Sequence, residues 1–287
     1  MEETALRTDR DSWDRGVGRP GIHASAPLLR WLTVSLVALT IGAFLIATPG
    51  GLLSKARMIG YAVCHQIPSH SFTLAGRQLP LCARCTGTFL GALVGLLSHA
   101  LLLRRGRAAQ FPPPAILAVL IAFTLAWAAD GANSYLSLVG GPSLYAPRNS
   151  LRLTTGALNG LTISALLYPV LNLGLWRAPA DQPTLRNLPD LGASLLLELS
   201  LVAVILTGWD RLLYPVALLS TAGVLTLLTG VNTIIALIVL GRENSVETWL
   251  QALWPIGIGL AVTLVQLGAI SLIRYGLTGT LGPLPGL

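Results

Sequence analysis

Charged residues are scarce in this 287-residue chain, in which 11% of the positions are Asp, Glu, Lys or Arg. An ordinary soluble domain is about 25% charged. The shortage excludes a disordered chain, a coiled coil and a polar nucleic-acid-binding module, so we expect no nucleic-acid partner. Cysteine is also rare, and the odd count of 3 excludes a complete disulfide framework.

Apolar sequence takes the place of the missing charge. Hydrophobic residues make up 53% of the chain, and the mean hydropathy is +0.68. This composition indicates a polytopic membrane protein, because a lipid-facing surface needs no charged groups. The formal net charge is +7, and most of the cations lie at the ends of apolar runs. That placement is typical of helices anchored at anionic headgroups, so we expect the lipid bilayer as a partner.

Seven apolar runs are each long enough to cross a hydrocarbon core of about 30 Å as a helix. We therefore predict an all-α transmembrane bundle of about seven spans, within a range of six to eight because Gly230 and Asn232 could split the sixth. The predicted spans are 28–48, 87–103, 114–133, 151–175, 191–209, 214–240 and 250–273.

The chain divides into three predicted regions. Residues 1–26 are polar and contain several Gly and Pro, which predicts a disordered N-terminal tail rather than a cleaved signal peptide. Residues 27–175 form a predicted motif-bearing membrane domain of four spans with a long loop at 49–86. Residues 176–287 supply three accessory membrane helices. Loops as long as 49–86 are usually functional.

The distribution of Arg and Lys between the loops predicts the orientation. With the N-terminus inside, 11 of the 19 cations fall on the cytoplasmic side, including the tight group Arg104, Arg105 and Arg107. We therefore expect a multi-pass protein of the cytoplasmic cell membrane with a cytoplasmic N-terminus. Loop 49–86 is then extracytoplasmic.

All three cysteines lie in one window of 22 residues. Cys82 and Cys85 form a C-x-x-C pair at the start of the second predicted span, and Cys64 is followed directly by His65. Thiolates three residues apart can bind one metal ion, and Cys64 with His65 could complete a Cys3His tetrahedron, which is a usual coordination of Zn²⁺. His70 is a spare nitrogen ligand.

Two other interpretations of the cysteines stay open. A C-x-x-C pair at a helix N-terminus, with Arg84 between its thiols, favours the thiolate form. Cys82 and Cys85 could then undergo thiol–disulfide exchange, or one of them could form a disulfide bond with Cys64. The cysteines could also be small buried apolar residues, although their clustering in one window argues against this. Haem attachment is excluded because Thr86 follows Cys85.

Four segments carry a recognisable pattern: CHQIPSHSF at 64–72, LPLCARCTG at 79–87, Asp130-Gly131, and RLTTG at 152–156. The pattern resembles the signature of a prokaryotic family of predicted membrane proteins, the domain of unknown function 2085 family. The resemblance implies a prokaryotic membrane protein, but the family has no established activity from which a mechanism could be taken. His70 stands where the family usually has Arg.

Topology brings these segments together on one membrane face. The cysteines precede the second span, Asp130 ends the third, and Arg152 begins the fourth. Because the two ends of each span lie on opposite faces of the membrane, these three positions lie on the same face. Asp130 is therefore a candidate catalytic acid or base, or a partner that orients His65. It could also pair with Arg152, and Arg84 lies beside the cysteines in the sequence.

Glu198 lies near the middle of the fifth predicted span, inside the run LLLEL. An ionised acid at this depth costs about 2.5–3.5 kcal/mol on insertion scales. We therefore expect Glu198 to face the bundle and to be protonated or paired with Asn232 or Asn159. Such a residue is a candidate catalytic or transport residue by default.

The leading prediction is an integral membrane protein with a Cys/His metal site for Zn²⁺, formed by Cys64, His65, Cys82 and Cys85 on one membrane face. The site could be structural or catalytic. The alternatives are a small-molecule or ion transporter that uses Glu198, and a membrane thiol-redox or assembly factor. Whether the protein is an enzyme, forms a homo-oligomer or joins a membrane complex stays open.

Overall fold

The computed structural model describes residues 26–48 and 50–282, with side chains from Trp31 onward. The predicted tail 1–26 lies outside the described residues apart from its last position. Eight α-helices occur in the described part of the chain. They are α1 (Ala26–Ala47), α2 (Leu52–Val63), α3 (Ala83–Leu97), α4 (Pro114–Leu138), α5 (Asn149–Leu175), α6 (Leu188–Leu206), α7 (Leu213–Val239) and α8 (Trp249–Thr278).

Six of the helices within the described ranges, α3 to α8, are long and apolar enough to cross a membrane. Helices α1 and α2 together form a pair bent by 108°, and counting this pair as one span gives seven. The bend lies next to Gly50, whose φ of 92° belongs to the left-handed region that glycine adopts without strain. The predicted all-α bundle of about seven spans is therefore confirmed.

Helix α3 lies at the centre and packs most closely against α5. A Cβ atom added to Gly87 would lie 2.2 Å from the carbonyl oxygen of Leu153, and one added to Gly156 would lie 2.4 Å from the carbonyl oxygen of Arg84. Only glycine at both positions lets the two backbones approach this closely. The contact fixes the first turn of α3 against the first turns of α5.

The outer helices present apolar side chains to their surroundings. On α4, Leu125 is 63% exposed, and on α8, Leu272 is 73% exposed. These exposed leucines lie on helices that are long and apolar enough to span a membrane. Contact with lipid explains their exposure, because an apolar side chain that faces lipid is not exposed to water.

Two short β-structures lie at the two ends of α3. Strands β1 (Thr73–Leu74) and β2 (Arg77–Gln78) pair antiparallel before the helix, through a tight turn in which Ala75 and Gly76 both have positive φ. After α3, a π-helical turn (Ser98–Leu102) leads to β3 (Ala108–Gln110), which pairs parallel with β4 (Ala180–Pro183). The cysteines lie at the β1–β2 end.

Candidate metal centre

Each cysteine lies at a helix end. Cys64 follows the last residue of α2 in extended conformation, and its N–H donates to the carbonyl oxygen of Gly60. Cys82 is the N-terminal cap residue of α3, and Cys85 lies in the first turn of that helix. The intervening hairpin returns the chain from the end of α2 to the start of α3. The long loop thus brings Cys64 to the C-x-x-C pair.

The three sulfur atoms lie within 4.8 Å of one another. All three thiols are free, and Cys64 and Cys82 are buried, with 5% and 2% of their surfaces exposed. In a tetrahedral zinc site with Zn–S bonds of about 2.3 Å, the sulfur atoms are separated by roughly 3.7 Å. The cluster therefore has nearly the size of a single metal coordination sphere. The sulfur atoms would have to move only slightly closer together to bind one ion.

The Cys64 sulfur is surrounded by hydrogen-bond donors. The backbone N–H groups of Cys82 and Gln66 donate to its Sγ at 3.2 and 3.5 Å. Hydrogen bonds from the side chains of Cys82 and Cys85 make the largest contribution to a pKa of Cys64 far below its ordinary value, and they outweigh the opposing effect of burial. These hydrogen bonds therefore favour the thiolate form of Cys64, the form in which cysteine binds metals.

His65 does not join the three sulfur atoms. The group within 4.8 Å comprises the cysteines and, of the described residues, no histidine. The Nδ1 atom of His65 accepts the N–H of Ile67 at 3.0 Å, and its ring packs edge-on against that of His70 at 5.5 Å. An accepting Nδ1 puts the proton of a neutral ring on Nε2, so neither nitrogen presents a free lone pair. The structure thus brings together three of the four predicted ligands, Cys64, Cys82 and Cys85.

Burial disfavours the charged form of both histidines. Burial lowers the pKa of His65 most; the nearby Cys64 opposes the shift, while the charges of Arg84, Arg152 and Arg274 add to it. Burial also lowers the pKa of His70 to about 4. Three arginines therefore create a positive potential around the cysteine cluster.

Asp130 lies beside the cluster, as the topology predicted, but its ionic partner is Arg84. The Nη2 atom of Arg84 donates to Oδ2 of Asp130 at 2.5 Å, while the hydroxyl of Tyr145 donates to Oδ1 at 2.9 Å. Arg152 instead donates to Ser134 and, at 2.8 Å, to Asn149. The pairs expected from sequence, Asp130 with Arg152 or with His65, are not formed between these described residues, because Arg84 projects from the first turn of α3 toward α4.

Two residues that build the site were missed. Gln66 has a φ of 55°, and its side-chain amide donates to the carbonyl oxygens of Arg57 and Pro80. This locks the turn after Cys64 against the segment before Cys82. The sequence contained a signal for this role, because Gln66 is the third residue of the CHQ motif and its side-chain amide supplies two hydrogen-bond donors.

Arg274 is the second missed residue. Its Nη1 atom donates to the carbonyl oxygens of Tyr61 and Cys64, each at 2.5 Å, and its guanidinium lies 4.1 Å from the centre of the Tyr61 ring. Arg274 belongs to α8 and is far from the cysteines in the sequence, so only the fold reveals the contact. A cavity of about 480 Å³, lined by Cys64, His65 and Ile273 among others, opens between α2 and α8 at this point.

Glu198 lies far from this cluster along the chain and is fully buried on α6. The partners expected for it are bonded elsewhere. Asn232 donates to Thr263 and Gln266, and Asn159 accepts from Thr124. Neither carboxylate oxygen has a hydrogen-bond partner among the described residues.

Comparisons with known proteins find similarity in the segment that carries the cysteine cluster. Residues 64–166 match the sequence model of a family described as predicted membrane protein (DUF2085). An uncharacterised protein of Methanocaldococcus jannaschii is 32% identical over 108 residues, which are 38% of this chain and 63% of that relative. An uncharacterised protein of Methanothermobacter thermautotrophicus is 47% identical over 30 residues, or 10% of this chain and 27% of that relative.

The alignments thus cover less than two thirds of either relative, and no solved structure matches the chain. The matched segment begins at Cys64 and includes Cys82, Cys85, Asp130 and Arg152, the side chains that the fold gathers at one end of α3. Residues 64–166 of the chain are therefore similar to the predicted membrane protein family DUF2085.

Proposed function

We propose that Cys64, Cys82 and Cys85 bind one Zn²⁺ ion at a membrane face, and that the fourth coordination position is open to a ligand that the chain does not supply. The observation that carries this proposal is the convergence of three buried sulfur atoms within 4.8 Å, one of them already accepting two backbone N–H groups. Zinc sites with three protein ligands and one open position are typical of catalytic centres.

The surrounding charges fit a thiolate–metal centre. One Zn²⁺ ion with three thiolates carries a net charge of −1. Arg84 and Asp130 neutralise each other through their ion pair. Arg152 and Arg274 have no acidic partner within the described residues, so they supply the positive potential that an anionic centre needs.

The residues around the centre have distinct roles in this proposal. Gln66 and Arg274 hold the Cys64 turn, while the Arg84–Asp130 pair fixes the first turn of α3 against α4. A bound zinc ion would supply Lewis acidity at its open position. The apolar cavity beside Cys64 and His65 gives a ligand from the bilayer a route to that position.

We also propose that this face is extracytoplasmic and that the N-terminus is cytoplasmic in a prokaryotic cell membrane, from the excess of Arg and Lys in the opposite loops. A membrane-impermeant thiol reagent, applied to intact cells after metal removal, is expected to label Cys64. Labelling that requires permeabilised cells would reverse the orientation.

The metal proposal is tested on the purified full chain in detergent. Metal analysis is expected to find one zinc ion per chain, and thiol titration is expected to detect three reactive thiols only after a chelator is added. Replacing zinc with Co²⁺ is expected to produce the visible spectrum of a tetrahedral thiolate complex. His65→Ala and His70→Ala are matched variants that should both retain the metal.

The competing interpretation is thiol–disulfide exchange. It requires that the protein, purified without reductant, contain a disulfide bond between two of the three cysteines and no stoichiometric metal. Mass spectrometry of the alkylated chain separates the two outcomes, because a disulfide bond protects two thiols until a reductant is added whereas bound metal protects all three until a chelator is added.

A further inference from the structure

Glu198 occupies an unusual position in the interior of the bundle. The side chain is fully buried, and its Oε2 atom lies 3.1 Å from the point that a Cβ atom of Gly91 would occupy. Glycine at position 91 therefore makes room for the carboxyl group against α3. Gly91 follows Cys85 by six residues, so Glu198 lies about 9 Å along α3 from the cysteine cluster.

His99 is a second buried titratable side chain, and one of its ring nitrogens has no hydrogen-bond partner among the described residues. It is fully buried on the π-helical turn that extends α3. Its Nε2 atom lies 3.2 Å from the hydroxyl of Ser164, while Nδ1 has no partner in the described part of the chain. Ser164 in turn packs over Gly95, one helical turn from Gly91.

The polar side chains between these two residues follow helical spacing. On α6, Asp190, Ser194 and Glu198 recur every four residues and so share one face. The hydroxyl of Ser194 lies 3.0 Å from that of Ser98, the residue before His99. We call this set the polar ladder; its members are Asp190, Ser194 and Glu198 on α6, Ser98 and His99 after α3, and Ser164 on α5.

The polar ladder reaches the membrane face opposite the cysteines. Asp190 lies in the first turn of α6, where it accepts a hydrogen bond from Arg105 at 2.8 Å. Arg105 follows the π-helical turn, and its N–H donates to the carbonyl oxygen of His99. Tyr168 on α5 is the other titratable side chain beside His99, with its ring centre 5.7 Å away.

Between Glu198 and the cysteines, the backbones of α3 and α5 touch at Gly87 and Gly156, where even an added methyl group would overlap a carbonyl oxygen. The polar ladder lies on the other side of Glu198, toward Asp190.

We propose that Glu198 holds a proton inside the membrane and exchanges it along the polar ladder with the face opposite the cysteine cluster. A carboxyl group without a cationic partner at this depth is neutral, because an isolated charge there is costly. Serine hydroxyls and a neutral imidazole both donate and accept hydrogen bonds, so each step can pass a proton without leaving a charge. Ser194 lies one helical turn from both Glu198 and Asp190, and each of these gaps is within reach of a single bridging water.

Infrared spectroscopy of the full chain in lipid nanodiscs tests the protonated state. At neutral pH we expect the C=O band of a protonated carboxylic acid, which disappears in Glu198→Gln. Glu243→Gln, a change outside the membrane helices, is the matched control and should keep the band. Absence of the band from the unmodified protein, or its survival in Glu198→Gln, would overturn the proposal.

The exchange route is tested by the rate at which this band shifts after transfer to D2O. We expect His99→Asn and Ser194→Ala each to slow the shift about tenfold, the effect of losing one hydrogen-bonding step. Thr229→Val alters a buried hydroxyl on α7 outside the polar ladder and should leave the rate unchanged. If one of the two ladder variants fails to fold, the exchange rate of the other tests the route. Exchange rates in the folded ladder variants that equal the rate in the unmodified protein would contradict the route. The test involves no metal, so its result is independent of the zinc proposal.

Discussion

The cysteine end and the surroundings of Glu198 both contain buried polar groups, but the two regions differ in how the hydrogen-bonding capacity of these groups is used. At the cysteine end, the Cys64 sulfur, Asp130 and Gln66 each have partners from several parts of the chain. In the interior, both oxygens of Glu198 and one nitrogen of His99 have none among the described residues.

The difference follows from the local backbone. A loop can fold around a polar group and supply N–H and C=O partners, as the turns at Cys64 and Pro80 do. The backbone N–H groups of a helix interior are already used within the helix, so a carboxyl oxygen there must accept its hydrogen bonds from another side chain. The hydrogen bonds of the cysteine end therefore hold its side chains in place, whereas Glu198 and His99 in the polar ladder keep free hydrogen-bonding capacity. The variants below test that contrast.

The largest effect is expected at the cysteine cluster. Cys82→Ser removes one of the three thiolates. Loss of a side chain that hydrogen-bonds to a metal ligand weakens metal binding about 10–100-fold, and loss of the ligand itself should weaken zinc binding by more than that. The six long helices should persist, because their stability comes from lipid burial and packing. Zinc competition with a chromophoric chelator measures the affinity, and circular dichroism measures the helix content. Unchanged affinity would remove Cys82 from the site.

Breaking the Arg84–Asp130 pair should give the next largest effect. Asp130→Asn leaves a largely buried guanidinium without its acid, and we expect a loss of about 3 kcal/mol in the free energy of unfolding. The matched control is Glu247→Gln, which breaks the exposed pair with Arg177 and should cost less than about 1 kcal/mol. Unfolding in mixed detergent micelles compares the variants. Equal losses would mean that burial does not distinguish the two pairs.

The contact that separates the two buried regions should be sensitive to a single methyl group. Gly87→Ala places a Cβ atom 2.2 Å from the carbonyl oxygen of Leu153 and should cost about 1–3 kcal/mol. Gly192→Ala on α6 has open space around the new methyl group and should be neutral or slightly stabilising. Thermal unfolding of the two variants provides the comparison, and a neutral Gly87→Ala would show that α3 and α5 are not in close contact.

The smallest effect on stability is expected at Glu198. Glu198→Gln exchanges one neutral polar group without partners for another of the same shape, so the free energy of unfolding should change by less than about 1 kcal/mol. The same acid-to-amide change at Asp130 should cost about three times as much. A large loss in Glu198→Gln would mean that the carboxyl group has a partner and that the contrast between the two regions is wrong.

Much of the fold could be predicted from the sequence. Apolar runs of about 20 residues can be recognised as spans, because a span in such a bundle must be helical and long enough to cross the bilayer. The cysteine cluster was predictable for a similar reason: C-x-x-C spacing is local, and a topological argument placed Asp130 on the same face.

The specific partners within the site could not be predicted, because they depend on helix rotation and packing. Arg84 rather than Arg152 pairs with Asp130, since the contact at Gly87 and Gly156 sets how α3 turns relative to α4 and α5. Arg274 holds the Cys64 turn from the last helix, about 210 positions away. The Nδ1 atom of His65 accepts a backbone hydrogen bond from Ile67 instead of facing the sulfur atoms, and no spacing rule encodes that contact.

X-ray absorption at the zinc edge of the purified full chain is the most direct test of the central claim. We expect three sulfur ligands at about 2.3 Å and one oxygen or nitrogen ligand at about 2.0 Å, with the same three sulfurs in His65→Ala. A preparation without stoichiometric zinc and with three freely reactive thiols would contradict it, as would a zinc ion bound by fewer than three sulfurs.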